Sequence, residues 1–233
     1  MRVYTGMHRR SILALALALL SWPHAASAEA PATASPQTVD ELFTKMATLS
    51  GLEATFAETK KVALLKMPLR SEGTLYYMRP GYLLRKVTAP KSSQVLITPE
   101  RLELKDAQGT RTMDLRARPD VKLFVESFIK VLAGDQAALS KVFDLQFSPA
   151  AANAEPPAAG SWTLTLTPRA APLNHLVRKL TLMGKGYAVE RIEVLETKGD
   201  SSVTELTVKS VGRAFTEQEK QALFGMGQPP QVQ

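Results

Sequence analysis

Between residues 52 and 106 the chain alternates apolar and polar side chains in short runs, and proline or glycine punctuates the runs. Few folds tolerate that pattern. Leu52, Ala54 and Phe56 fall on one side of the first run with Glu53 and Thr55 between them, the two-residue period of a half-buried strand. Residues 60–68 interrupt it as a connection. Residues 73–78 combine Gly73 with Thr74, Leu75, Tyr76 and Tyr77, which suit a pleated surface, and stop at Arg79-Pro80 because proline cannot donate to a ladder. Residues 82–87 end before Ala89-Pro90, residues 94–98 before Pro99-Glu100, and residues 102–105 complete the series. Five short strands joined by connections too short for crossover helices predict an antiparallel meander.

The flanks extend this pattern. Thr38 and Glu41 have capping-box spacing, and Val39, Leu42, Phe43, Met46 and Leu49 recur at three and four residues, so a helix with one apolar face is predicted before the meander. After it, Gln108-Gly109 reads as a hairpin turn and residues 110–115 as another strand. Val121, Phe124, Val125, Phe128, Ile129 and Leu132 then fall at helical spacings up to Gly134, the clearest helix in the chain. A short helical turn over 135–142 and a strand over 143–147 follow. The stretch 148–160 has the composition of a loop, and strands are read over 161–167, 176–183, 187–196 and 203–211. A capped helical turn over 216–223 precedes a tail at 225–233. The count is about ten strands with few helices.

Residues 1–28 carry the marks of a secretory leader. Arg2, His8, Arg9 and Arg10 form a basic start, residues 12–20 an apolar run, and Ala26-Ser27-Ala28 a small-residue cleavage site. The apolar run is too short to cross ~30 Å of hydrocarbon as a helix. The chain is therefore expected to be exported to the periplasm and cleaved after Ala28, with 29–37 a disordered spacer and 38–224 one folded domain. Arg9-Arg10 leaves the export route open between the general and twin-arginine systems. No cysteine is present among the 233 residues, so stability must come from buried apolar surface, and no lipid anchor can form on the new N-terminus. Cleavage would remove Arg2, Arg9 and Arg10, taking the 29 basic residues to 26 against 22 acidic ones, a net charge of +4. The basic residues are dispersed and aromatics few, which argues against nucleic acid as a partner and leaves only a weak attraction to anionic membrane surfaces.

An ordered set of residues in the meander resembles the periplasmic outer-membrane lipoprotein carrier family, the LolA-like proteins. It comprises Phe56 and Lys60; Gly73, Leu75 and Tyr77; Arg79-Pro80; Leu83 and Arg85; Pro90, Leu96 and Ile97; and Leu102 and Leu104. The likeness is strongest over residues 50–115 and continues to about residue 215. It implies a mainly β, α+β fold: a curved antiparallel half-barrel of about ten strands under a helical lid, since one broad sheet has a large face to bury and must curl around its helices. Taken alone, the Phe, Leu and Met stripes read as filled core. The resemblance implies instead a cavity for acyl chains, with Phe56, Leu75, Tyr77, Leu83, Leu96, Leu104, Phe124, Phe128 and Trp162 as candidate lining. It also implies that Arg79 latches the sheet to the lid, its guanidinium donors meeting several helix-end carbonyls at once.

Chemistry beyond binding has little to work with. Only His175 lies outside the leader, in a Pro-Leu-Asn-His-Leu context without an acidic partner in sequence, and Glu190, Glu193 and Glu196 do not form a fixed carboxylate pair. Gly184 and Gly186 lack the third glycine and following helix of a phosphate loop. No catalysis, metal or cofactor is expected. The family resemblance implies a monomeric carrier that binds a lipoprotein or other amphiphilic lipid and shuttles it from an inner-membrane exporter complex to an outer-membrane acceptor. Two departures from the main branch, the apolar stretch after Lys60-Lys61 and Arg85 where tryptophan is usual, resemble variant carriers associated with polyene or glycolipid export. A second reading is a regulatory sensor of the same fold, of the kind that binds an anti-sigma factor and carries a further C-terminal domain, for which this sequence is expected to leave no room. A third is a structural envelope protein with a filled core.

Overall fold

The computed structural model describes residues 35–150 and 160–226. The expected leader, residues 29–34 of the expected spacer, residues 151–159 of the loop and residues 227–233 of the tail lie outside the described residues. The end of the expected spacer differs from that reading: Pro36 is buried, and the Ser35 hydroxyl donates to the Gly160 carbonyl at 2.9 Å.

The first helix, α1 (Val39–Ala47), starts at Thr38, whose Oγ1 accepts the Glu41 N–H at 3.2 Å. Only half of the capping box forms, because the Glu41 carboxylate accepts the N–H of Gln37 and not that of Thr38. Six strands follow: β1 (Gly51–Lys61), β2 (Leu69–Met78), β3 (Tyr82–Ala89), β4 (Ser93–Ile97), β5 (Arg101–Asp106) and β6 (Gly109–Asp114). The order agrees with the sequence pattern, and β1 and β2 run several residues further than the alternation alone suggested. A 3-10 turn (Leu115–Ala117) leads into α2 (Pro119–Ala133), which has proline in its first turn and stops at Gly134, whose φ of 68° is left-handed. Glycine is also required there for space. A Cβ would lie 2.4 Å from the Ala47 nitrogen, so the ends of α1 and α2 meet backbone to backbone.

After α3 (Gln136–Val142), five strands complete the sheet: β7 (Phe143–Pro149), β8 (Ser161–Pro168), β9 (Val177–Lys185), β10 (Ala188–Glu196) and β11 (Ser201–Val211). The last helix, α4 (Glu217–Phe224), has a complete capping box between Thr216 and Glu219. Eleven antiparallel strands, one for each segment read from the sequence as a strand, lie in the order β6-β5-β4-β3-β2-β1-β11-β10-β9-β8-β7. The sheet is open. It is two meanders joined by the long β1–β11 ladder, which pairs Leu52 with Val211 at one end and Lys61 with Ser201 at the other. The chain leaves the first meander at one edge, β6, and must enter the second at the opposite edge, β7. The only segment available for that crossing is residues 115–142, which is why the lid helices lie over the sheet.

Pleating divides the side chains between two faces. On the concave face, α1, the C-terminal part of α2 and α3 pack against β1, β3 and β7–β11 through Leu42, Phe43, Val131, Leu139, Phe56 and Leu182. A neighbouring stripe of α2, with Val121, Val125, Ile129 and Leu132, covers Tyr77, Leu83 and Ile97. The other face has its own cover. Met78, Leu84 and Leu96 pack against Phe215 and Phe224 of the α4 region, and Arg213 pairs with Glu53 of β1 and Glu219 of α4. Leu96 is thus a correction: it faces away from the lid. Its register partner is Leu84, and β4 puts Val95 and Ile97 inward instead.

Gly73 explains itself in this register. It stands between Phe56 of β1 and Val87 of β3, and a Cβ would lie 1.9 Å from the Lys86 carbonyl oxygen. The β2–β3 ladder shifts register at that position. Gly73→Ala is expected to lower stability by about 1–3 kcal/mol through overpacking against backbone, read as the midpoint of urea unfolding; an unchanged midpoint would mean that β3 moves aside freely.

Candidate functional site

The residues that face the lid from the middle of the sheet do not fill the space beneath it. Phe124, Phe128, Val131 and Leu132 of α2 stand over Phe56, Leu75, Leu182, Val189, Ile192, Val194 and Leu206, and together they enclose a cavity of about 360 Å³. Strands from both meanders contribute, because β1 and β11 lie at the centre of the sheet. Phe124 and Phe128 meet edge to face, with ring centroids 5.1 Å apart, which fixes the roof.

One end of the cavity is charged. Glu58, Lys60, Arg85 and Glu196 line it with the hydroxyls of Ser202 and Thr204. Arg85 follows Leu83 and precedes Val87 on the same face of β3, so the pleat directs a guanidinium inward. There it lies over the Phe56 ring, 4.3 Å from the centroid, and pairs with the Glu58 carboxylate. The Ser71 hydroxyl completes this corner, 3.1 Å from the guanidinium and 3.4 Å from the carboxylate. A second pair joins Lys60 Nζ to Glu196 Oε1 at 2.8 Å. The Glu196 hydrogen bond lifts the Lys60 ammonium above its ordinary pKa, against a smaller opposing effect of burial, so it stays charged across the neutral range. Both pairs are partly exposed, and such pairs contribute only about 0–1 kcal/mol each to stability. They make the cavity amphipathic, with a greasy body and an ionised mouth.

The nine candidate lining residues separate on this geometry. Phe56, Leu75, Phe124 and Phe128 line the cavity. Tyr77 and Leu83 face the same way but are buried in a separate cluster under α2 with Ile97 and Val125, outside the cavity lining. Leu104 lies half-buried at the far end of the row Leu75–Arg85–Val95–Leu104, too near the β6 edge to reach the cavity. Trp162 is buried in the packed core: its indole N–H donates to the Gly186 carbonyl at 2.8 Å, and its ring rests where a Cβ on Gly184 would stand. Leu96 lies on the other face. The sequence reasoning missed Leu182, Val189, Ile192 and Leu206, because cavity candidates were drawn mainly from the first meander; the inward parity of β9–β11 was readable in the alternation. It also missed the Glu58–Arg85 pair, whose signal was a charge set in an otherwise apolar row.

Arg79 occupies the end of the sheet away from the charged mouth. Its Nε donates to the Leu49 carbonyl at 2.6 Å, and one terminal nitrogen donates to Met46 at 3.2 Å and Ala133 at 2.6 Å. One guanidinium thus ties the C-terminal ends of α1 and α2 together through three backbone carbonyls at or just beyond those ends. His175 is exposed, and no group of three or more His, Cys, Asp and Glu side chains among the described residues is placed to hold a metal ion.

The family model described as outer membrane lipoprotein carrier protein LolA-like matches residues 30–224. The chain belongs to the LolA-like family. No curated protein shows significant similarity to this LolA-like chain. Among solved structures it is similar to a chain of the Pseudomonas aeruginosa MucA/MucB complex, at 14% identity and a TM-score of 0.45, covering 77% of this chain and 59% of that one. It is also similar to the LolA superfamily protein NE2245 from Nitrosomonas europaea (10% identity, TM-score 0.40, 79% and 97% covered) and to LprF from Mycobacterium bovis (10%, 0.39, 78% and 97%). This chain therefore spans less than two thirds of the MucA/MucB-complex chain. No helix among the described residues is long and apolar enough to cross a membrane.

Tyr77 carries a measurable consequence of the seal under α2. Its hydroxyl is buried without a hydrogen-bond partner among the described residues, and burial lifts its pKa, with Arg79 pulling the other way. Because the unfolded chain ionises first, stability is full below about pH 10 and falls as the pH rises further. Tyr77→Phe is expected to raise stability at neutral pH by about 1 kcal/mol and to flatten this alkaline decline, as read by thermal unfolding against pH. A destabilised variant would show that the hydroxyl has a partner in solution.

Proposed function

We propose that this chain is a periplasmic carrier that takes the acyl chains of a lipoprotein or another amphiphilic lipid into the cavity under α2 and shuttles it from the inner to the outer membrane. The observation that carries the reading is the amphipathic cavity itself. Its apolar body, formed by Phe56, Leu75, Phe128, Leu182 and Leu206, suits hydrocarbon, and the ion pairs at its mouth suit an ionised headgroup. A volume of about 360 Å³ lies near the lower bound of the range of roughly 300–1,000 Å³ for small-ligand sites. The need for a carrier follows from solvation. Each methylene in water costs ~0.8 kcal/mol, so a 14-carbon chain leaving a bilayer unescorted exposes something like 11 kcal/mol of unfavourable surface.

Release requires a lid that can yield, and the Arg79 hydrogen bonds are the contacts to break. We assign Arg79 the role of latch: it couples the helix ends to the sheet, and its loss frees α2 without removing any cavity wall. The partners of such a carrier are an inner-membrane exporter complex as donor and an outer-membrane acceptor, with the carrier itself monomeric. Membership of the LolA-like family supports a binding role without catalysis.

A native mass spectrum of the chain purified from a periplasm, before and after organic extraction, tests the reading. A bound mass of lipid size, lost on extraction, supports it. An apo mass, with no fluorescent fatty acid bound even in excess, overturns it in favour of a partner-binding protein with a filled core. Ile192→Trp should fill part of the cavity and weaken fatty-acid binding at least about tenfold, the size of effect that losing a few buried methylenes gives, while circular dichroism stays unchanged. Arg79→Leu should still bind lipid but pass it poorly to acceptor vesicles; normal transfer removes Arg79 from the mechanism.

A further inference from the structure

Among the described residues six large apolar side chains are exposed: Leu64 at 94%, Met67 at 77%, Leu69 at 53%, Leu65 at 49%, Val211 at 48% and Leu176 at 38%. Five of them share one end of the sheet. Leu64, Leu65 and Met67 lie in the 62–68 connection between β1 and β2, and Leu69 opens β2 opposite Lys60. Leu176 joins them from the start of β9, since its carbonyl accepts the N–H of Thr197 in the adjoining β10–β11 turn. This is the end at which Lys60 and Glu196 form the mouth of the cavity.

The exposure belongs to a held loop. The Leu65 N–H donates to the Val62 carbonyl at 2.9 Å, a tight turn that presents Leu64 at its tip. The Ala63 N–H donates to the Asp200 carboxylate at 2.9 Å, fastening the loop to the β10–β11 turn. Basic side chains outnumber acidic ones around the apolar tip. Residues 60–70 contain four basic side chains, Lys60, Lys61, Lys66 and Arg70, and no acidic one, and Lys198 is exposed in the neighbouring turn. Two of the nearby acids are engaged, Asp200 by the Ala63 N–H and Glu196 by Lys60, and a third, Glu72, is exposed two residues beyond Arg70.

We propose that this end of the protein docks on an anionic lipid bilayer, with Leu64, Leu65 and Met67 entering the interface and Lys61, Lys66, Arg70 and Lys198 meeting headgroup phosphates. The residue types decide between a membrane and a protein partner. Protein interfaces anchor on tyrosine, tryptophan and arginine and are depleted in lysine, whereas this loop exposes three leucines, three of its four cations are lysine, and residues 57–75 contain no aromatic. Exposed aliphatic side chains ringed by lysines match a negatively charged membrane surface, where each cation adds to the attraction and the apolar tips reach the acyl boundary. Docking in this orientation sets the ionised mouth against the headgroup layer. The proposal goes beyond the carrier reading and does not rest on it, because the surface is present whether or not the cavity holds lipid.

The test is sedimentation of the exported chain with phosphatidylcholine vesicles, with and without phosphatidylglycerol, at low and high salt. The intact chain should sediment with the anionic vesicles and progressively less as salt rises. Leu64→Asp with Met67→Asp should reduce that binding at least about tenfold, and Lys61→Glu with Lys66→Glu should abolish its dependence on phosphatidylglycerol. Both double variants alter only exposed side chains, so their unfolding temperatures and fatty-acid binding should match the parent; those two readouts separate failure of docking from failure of the carrier reading. Absence of sedimentation by the intact chain, or equal sedimentation by the Asp variant, overturns the proposal and reassigns the loop to a protein partner.

Discussion

A chain that finishes one meander at one edge of an open sheet and begins the next at the opposite edge must cross the full width of that sheet. Here β6 and β7 are those edges, and residues 115–142 make the crossing. An extended crossing would leave backbone groups without partners over an apolar surface, whereas helices satisfy their own and present a greasy stripe to the strands. The lid is therefore a consequence of topology. What locks the arrangement in place is the β1–β11 ladder, which fuses two locally paired meanders into one surface.

The helices cross but do not fill. At the end held by Arg79, the termini of α1 and α2 close on each other so tightly that only glycine fits at residue 134. Beneath another stripe of α2, Tyr77, Leu83, Ile97 and Val125 form a separate buried cluster. Between Phe124 and Phe128 on one side and Phe56, Leu182 and Leu206 on the other, the space stays open toward the ionised mouth. Removing the charges from that mouth for stability alone would cost little, since paired and half-exposed ions contribute little net free energy. Their presence on an inward-facing row accordingly points to polarity as a property of the cavity, in keeping with a ligand that has both a tail and a head.

The two faces of the sheet carry different duties. The concave face holds the lid and the cavity, and the convex face is buried locally by α4 through Phe215 and Phe224. That second cover is why apolar residues occur at both parities of β3 and β4, as in Leu83-Leu84 and Leu96-Ile97. At the mouth end the apolar side chains of Leu64, Leu65 and Met67 stay exposed, although backbone hydrogen bonds hold their loop in place.

Much of this was legible before any coordinates. The alternation of 52–106, the proline and glycine stops, the stripe of Val121 to Leu132 and the glycine after it were enough to specify strands, order and helices, because these depend on local backbone chemistry. The meeting of Arg79 with carbonyls near the helix ends was implied only by the family resemblance, since a solvated arginine at a strand end fits the local sequence equally well. Three things were decided only by tertiary structure. Pairing of β1 with β11 brings together residues about 150 positions apart, for which no local signal exists. The orientation of Leu96 depends on a convex-side helix more than 100 residues downstream. Whether a stripe of Phe and Leu becomes filled core, as around Trp162, or cavity wall, as at Phe56 and Leu206, turns on how closely curvature lets opposing surfaces approach, and that distance is a property of the assembled sheet and lid, written in no single segment of the chain.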